Sequence, residues 1–137
     1  MNRISVCDIQ ATWLGAHDVP KQNNKEEYIE ELISRQLPMV VEQGIAVWAD
    51  VFCEPGWFTV DDTIEIITAS KNVGLGSRIH ADEFLDSGGL GIAAELGSIS
   101  ADHVAKSDDD SRAKAHDSGV MQTFLPVSYT HLTLPTR

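Results

Sequence analysis

The chain has 137 residues, of which 42% are hydrophobic, so it can bury a core of ordinary size, and its length favours one domain. It carries 21 acidic and 10 basic residues, for a formal net charge of −11. Because this charge repels phosphates and anionic lipid headgroups, neither nucleic acid nor a membrane is expected as a partner. The N-terminal residues lack the continuous apolar stretch of a secretory signal, so we expect the cytoplasm as the compartment.

β-strand patterns occur five times along the chain. They cover residues 4–17, 45–54, 76–80, 98–103 and 120–125. The second of these is nearly continuous in apolar residues, which is typical of a strand covered on both faces. Strands that alternate with helices predict right-handed βαβ units and a parallel sheet.

Helical patterns fill the intervals between the strands. Residues 25–43 have helical spacing up to Gly44, and Pro38 is expected to kink or divide that helix. Thr59 begins a capping box with Asp62 in the place of the usual Glu, which predicts a helix that ends at Gly74. Further helices are predicted over residues 88–97 and, with Ser107 as the cap, up to residue 119.

Polar side chains recur at the carboxyl ends of the predicted strands. The residues at or just beyond these ends are His17, Glu54, His80, Asp82, Glu83, Asp102 and His103. In parallel α/β architectures this edge is where ligands bind, and in (β/α)₈ barrels catalytic groups come from several strand ends. We therefore expect these side chains to lie near one another.

The segment "RIHADEF", residues 78–84, has two interpretations. Charged residues after a strand are commonly a solvated loop, because buried charge is costly. The alternative is a metal-and-acid site, in which His80 holds a metal and Glu83 moves protons. Spacing alone leaves both open, and a lone histidine such as His17 is more often a loop residue than a ligand.

Four motifs point to a family. In order and spacing, "WLGAHDVP", "DVFCE", "IHADEF" and "AAELGSISADH" resemble the strand-end motifs of the imidazolonepropionases, metal-dependent cyclic amidohydrolases of histidine degradation. The resemblance covers residues 9–125. It implies a (β/α)₈ barrel that hydrolyses 4-imidazolone-5-propanoate to N-formimidoyl-L-glutamate with one divalent ion, zinc or iron.

The resemblance also implies a role for each matching residue. His80 would ligate the metal through its neutral imidazole. Glu83 would orient the substrate ring and the attacking water or carry its proton. His103 would polarise the carbonyl or shuttle a proton, and His17 would contact the substrate. A small molecule is the expected partner, and homodimerisation of the full-length protein stays open.

The chain departs from this family in two respects. It has no HxH pair, which a metal site of this kind draws from the first barrel strand, and nothing after Leu125 supplies the aspartate of the last strand. We therefore expect residues 1–125 to be the central part of an amidohydrolase-type barrel, roughly strands 3 to 7, inactive alone. Residues 126–137, "PVSYTHLTLPTR", resemble the conceptual translation of a sequencing adapter, although a genuine β-prone segment would have a similar composition.

Two other functions stay open at this point. One is a different metal-dependent cyclic amidohydrolase or a nucleobase deaminase; the residues upstream in a full-length barrel would distinguish these enzymes from an imidazolonepropionase. The other is a non-catalytic α/β fragment, and a measurement of bound metal would distinguish it from a metal-dependent enzyme.

Overall fold

The computed structural model describes residues 7–125 and contains five parallel strands. These are β1 (Ala11–Ala16), β2 (Ala46–Cys53), β3 (Gly76–Ala81), β4 (Ser100–His103) and β5 (Met121–Thr123). They form one sheet in the order β1-β2-β3-β4-β5, and every neighbouring pair is parallel. The predicted α/β class is confirmed, and this sequential parallel order is consistent with part of a β/α barrel.

Helical segments connect the strands. They are α1 (Lys25–Glu31), a π-helical segment (Leu32–Gln36), α2 (Leu37–Gln43), α3 (Val60–Asn72), α4 (Gly89–Glu95) and α5 (Asp109–Asp117). The first strand begins at Ala11, later than predicted, because its pairing with β2 begins at Ala11 and Ala46.

Pro38 divides the first helical region by changing its hydrogen-bond pattern without ending it. The backbone stays helical from Lys25 to Gln43, and the π-helical segment lies directly before α2. A proline cannot donate to the carbonyl four residues earlier, and its ring crowds that carbonyl, so a wider turn just ahead of it relieves both problems. Gly44 ends the region in the left-handed conformation, with φ of 61°, as predicted.

The two predicted helix caps have different outcomes. Thr59 forms the capping box: its hydroxyl accepts the Asp62 amide at 3.2 Å, and the Asp62 carboxylate accepts the Thr59 amide at 2.8 Å. Ser107 as the cap of the last helix is wrong. Asp108 is the cap and accepts the Ser111 amide at 2.7 Å, while the Ser107 hydroxyl donates to the buried carboxylate of Asp82.

The two faces of the sheet differ in chemistry. Alternate residues of β2 and β3, among them Ala49, Val51, Ile79 and Ala81, are buried in the apolar clusters formed with the helices. The intervening residues occupy the opposite face, where Asp50, Phe52, Arg78, His80 and Asp102 lie on three neighbouring strands. In a barrel, this second face lines the interior.

Within residues 7–125, β1 and β5 each pair with a strand on one side only. In that same range, no helix combines the length and apolarity needed to cross a bilayer. The adapter-like residues 126–137 and His131 lie outside the described residues.

Candidate active site

The four residues singled out from the sequence converge on the carboxyl edge of the sheet. The rings of His17 and His80 have centroids 4.6 Å apart, and those of His80 and His103 are 5.3 Å apart. Nδ1 of His103 is 3.5 Å from Oε1 of Glu83. The expectation that strand-end side chains would lie close together is therefore confirmed for these four residues.

His103 reaches this cluster through an unusual backbone conformation. Its pairing partner in β3 is Ala81, which faces the helices, so regular alternation would direct His103 to the same face. Instead its φ is 76°, and its ring lies beside His80. Asp82 and Val104 also have positive φ, at 52° and 45°. Such conformations cost free energy in non-glycine residues and cluster at functional sites.

Asp50 belongs to the cluster and was missed by the sequence analysis. It is 3% exposed, and its Oδ1 lies 3.0 Å from Nδ1 of His80 and 3.3 Å from Nε2 of His17. One donor atom from each of these three residues lies within 4.8 Å of the others, so the group could hold a metal ion. The available signal was one acidic residue inside an apolar strand, since a buried carboxylate needs partners.

The cluster shifts the pKa values of its titratable groups in different directions. Burial disfavours the Asp50 carboxylate, yet hydrogen bonds from His17 and His80 lower its pKa. Burial likewise disfavours protonated His80, but the hydrogen bond to Asp50 and the nearby negative charges raise its pKa. Burial lowers the pKa of His103, which the charge of Glu83 only partly offsets. Two neighbouring histidines therefore differ in proton affinity, as a donor and an acceptor must.

Asp82, in the middle of "RIHADEF", has a structural role. Its carboxylate is fully buried. Its hydrogen-bond donors are the amides of Ser87, Gly89 and Leu90 and the hydroxyls of Ser87 and Ser107, at 2.5 to 3.2 Å. The two interpretations of the segment thus divide by residue: Asp82 organises the loop, whereas His80 and Glu83 face the cluster.

Aromatic rings border the polar cluster. Phe52 lies 5.0 Å from Trp57 and 6.3 Å from Phe84, measured between ring centroids. The ring of His17 stacks on Phe52 with an interplanar angle of 21° and a separation of 6.2 Å. The site therefore joins an apolar aromatic wall to a group of histidines and carboxylates.

Parallel strands in sequential order, helices on one face and titratable groups gathered at the carboxyl strand ends together define a barrel-type α/β protein with an enzyme-like site. No family model matches the chain.

Curated relatives identify the particular protein that the chain resembles. It is 44% identical over 126 residues to the imidazolonepropionase of Desulfotalea psychrophila, a match that covers 90% of this chain and 30% of that protein. It is 40% identical over 130 residues to the imidazolonepropionase of Bacteroides thetaiotaomicron and 42% identical over 121 residues to that of Geobacillus kaustophilus. The chain is thus related to the imidazolonepropionases, and it spans about three tenths of their length, consistent with an internal segment.

Proposed function

We propose that this chain supplies the catalytic half-site of a metal-dependent hydrolase that opens the cyclic amide 4-imidazolone-5-propanoate to N-formimidoyl-L-glutamate. The observation that carries the proposal is the convergence of His80, Glu83 and His103 at adjacent strand ends, in a chain similar to imidazolonepropionases. We propose a small molecule as the partner and the cytoplasm as the compartment. The chain has no HxH pair, so we expect residues 1–137 alone to be inactive.

The residues present fit one divalent ion, zinc or iron. Imidazole and carboxylate are donors that both metals accept, and the structure gathers such atoms from His17, Asp50 and His80. Nε2 of His17 is buried and lies 3.3 Å from Oδ1 of Asp50, which supports one shared site for these donor atoms. We propose His80 as the ligand, because Nδ1 donates to Asp50 and leaves Nε2 for the metal.

The bound ion would act as a Lewis acid on the ring carbonyl and lower the pKa of an attacking water. The protein's own contribution is proton transfer. Glu83 is 16% exposed at its side chain and faces His103, so its carboxylate is suited to take the proton of the water. His103, whose pKa is lowered, is suited to polarise the carbonyl or pass a proton to the leaving nitrogen.

We propose that His17 contacts the substrate. Its ring contacts both His80 and Phe52, with centroid separations of 4.6 and 6.2 Å, so a planar heterocycle bound beside it would meet both an apolar face and a hydrogen-bonding group. A contact of this kind acts on the bound substrate and the transition state alike, so its loss should raise KM more than it lowers kcat.

The experiment uses a grafted barrel, in which residues 9–125 of this chain replace the matching segment of the Desulfotalea psychrophila relative. His80→Ala should lose bound metal and activity together. His103→Ala and Glu83→Gln should keep the metal and lose most of kcat, and His17→Ala should mainly raise KM.

The matched control is His116→Ala, because His116 is exposed on α5, away from the cluster. It should leave both metal content and kinetics unchanged. Metal stoichiometry and steady-state rates are measured for every variant. A full metal complement in His80→Ala would contradict the ligand assignment, and unaltered kcat in Glu83→Gln would contradict the acid–base assignment.

A further inference from the structure

Glu54 is a buried carboxylate that has no part in the mechanism above. It directly follows β2 and is 1% exposed. Its Oε2 accepts the backbone amide of Glu83 at 3.0 Å, and its Oε1 accepts the amides of Phe84 and Leu85 at 3.2 and 2.9 Å. Three consecutive amides of one loop are therefore bound by one side chain from a neighbouring strand.

The three hydrogen bonds from the loop amides to Glu54 are of a strong type. Hydrogen bonds from an amide to a carboxylate are shorter and about twice as strong as those between neutral groups. A buried carboxylate also needs such donors, because burial without them is costly. Glu54 is itself held by its backbone: its amide donates to the Phe58 carbonyl, and its carbonyl accepts the Trp57 amide, both at 3.0 Å. The side chain thus joins a fixed point on β2 to the loop after β3.

We propose that Glu54 is a positioning residue that fixes the main chain of residues 83–85 and so directs the Glu83 carboxylate to His103. The inference rests on the proposed function for the role of Glu83. The separation of 3.5 Å between Glu83 Oε1 and His103 Nδ1 depends on where the Glu83 backbone lies, and the Glu83 amide itself donates to the Glu54 carboxylate. A displacement of about 1 Å at a catalytic group can cost about 100-fold in rate.

The first test measures the contacts in this chain by NMR. Scalar couplings across hydrogen bonds should connect the amide nitrogens of residues 83–85 to the side-chain carboxyl carbon of Glu54. In Glu54→Gln one oxygen is replaced by an NH₂ group, so at least one of the three amides loses its acceptor and should exchange with solvent faster. Glu65→Gln, at an exposed position of α3, is the matched control and should change none of them.

Missing couplings in the parent chain, or unchanged exchange at residues 83–85 in Glu54→Gln, would overturn the inference. The coupling measurement needs no substitution, so it decides the contacts even when a variant does not fold.

The second test measures catalysis in the grafted barrel. Glu54→Gln should lower kcat by about 100-fold, with metal content and KM little changed, because it moves a proton-transfer group and removes no ligand. Glu54→Asp keeps the charge but is one methylene shorter, and it should recover part of kcat.

An unchanged kcat in Glu54→Gln, alongside altered amides, would refute positioning. Full activity in Glu83→Gln would instead refute the proposed function, and the amide measurements would still report on Glu54 separately.

Discussion

Replacing Asp82 by Asn should destabilise the fold by about 3 kcal/mol, although the substitution is nearly isosteric. Asn tolerates positive φ as readily as Asp, so the φ of 52° at this position adds no new strain. The effect is therefore confined to hydrogen bonding. In the parent, Oδ1 accepts two backbone amides and Oδ2 accepts a third, each oxygen with a hydroxyl donor in addition.

In Asp82→Asn the new NH₂ group faces at least one backbone N–H in either amide orientation. A buried unsatisfied donor costs about 1–3 kcal/mol, and the remaining bonds lose their charge-assisted part. The hydroxyls of Ser87 and Ser107 can rotate to accept, which limits the loss. These amounts together give the expected value.

Urea unfolding, followed by circular dichroism, measures the change as a shift in midpoint at constant slope. Asp117→Asn, an exposed carboxylate at the end of α5, is the control and should stay within about 0.5 kcal/mol of the parent. If Asp82→Asn changed the free energy of unfolding as little as this control does, the conclusion that the Asp82 carboxylate organises the loop would be refuted.

Three further predictions concern other contacts. Asp50→Asn should lower the pKa of His80 in an NMR titration of the metal-free chain. The raised pKa of His80 stabilises the folded parent at a pH below about 6.5, the pKa of histidine in the unfolded chain, and this stabilisation is lost as the pH rises. The difference in unfolding free energy between the parent and Asp50→Asn should therefore shrink above about pH 6.5. It should also shrink in acid, where Asp50 of the parent becomes protonated. Thr59→Ala should cost about 1 kcal/mol in thermal unfolding, through loss of the capping box. Gly89→Ala should cost about 1–3 kcal/mol in urea unfolding, because its new methyl group would lie 2.8 Å from Cβ of Ala81; an unchanged midpoint would contradict this close packing.

The fold was largely predictable because its signals are local. The five strands appear in the sequence as β-prone runs, and the helices between them have helical periodicity and glycine stops. Parallel pairing then brings the carboxyl strand ends to one edge, which is why His17, His80 and His103 could be placed together before any contact was known. The error at Ser107 has a physical cause, since its hydroxyl is used by the buried carboxylate of Asp82 and the next residue, Asp108, caps the helix.

The residues that the sequence analysis missed depend on contacts between strands. Asp50 is in the interior of β2, and only the register, which pairs Phe52 with His80, shows that the Asp50 carboxylate lies within reach of His80. Glu54 was placed at the correct edge, but its hydrogen bonds to backbone amides have no sequence pattern. The reorientation of His103 depends on a φ of 76°, which no propensity predicts for a histidine at a strand end.

The contacts of Glu54 have a consequence for how this loop can change. They are made to main-chain amides, so they place no demand on the side chains at positions 84 and 85, which are 51% and 58% exposed. Any residue with a backbone N–H can replace Leu85 without a change in the backbone conformation, and proline alone among the common amino acids lacks this donor. Position 85 is therefore a site where the surroundings of the catalytic edge can be diversified, by drift or in a designed library, without moving the neighbouring Glu83.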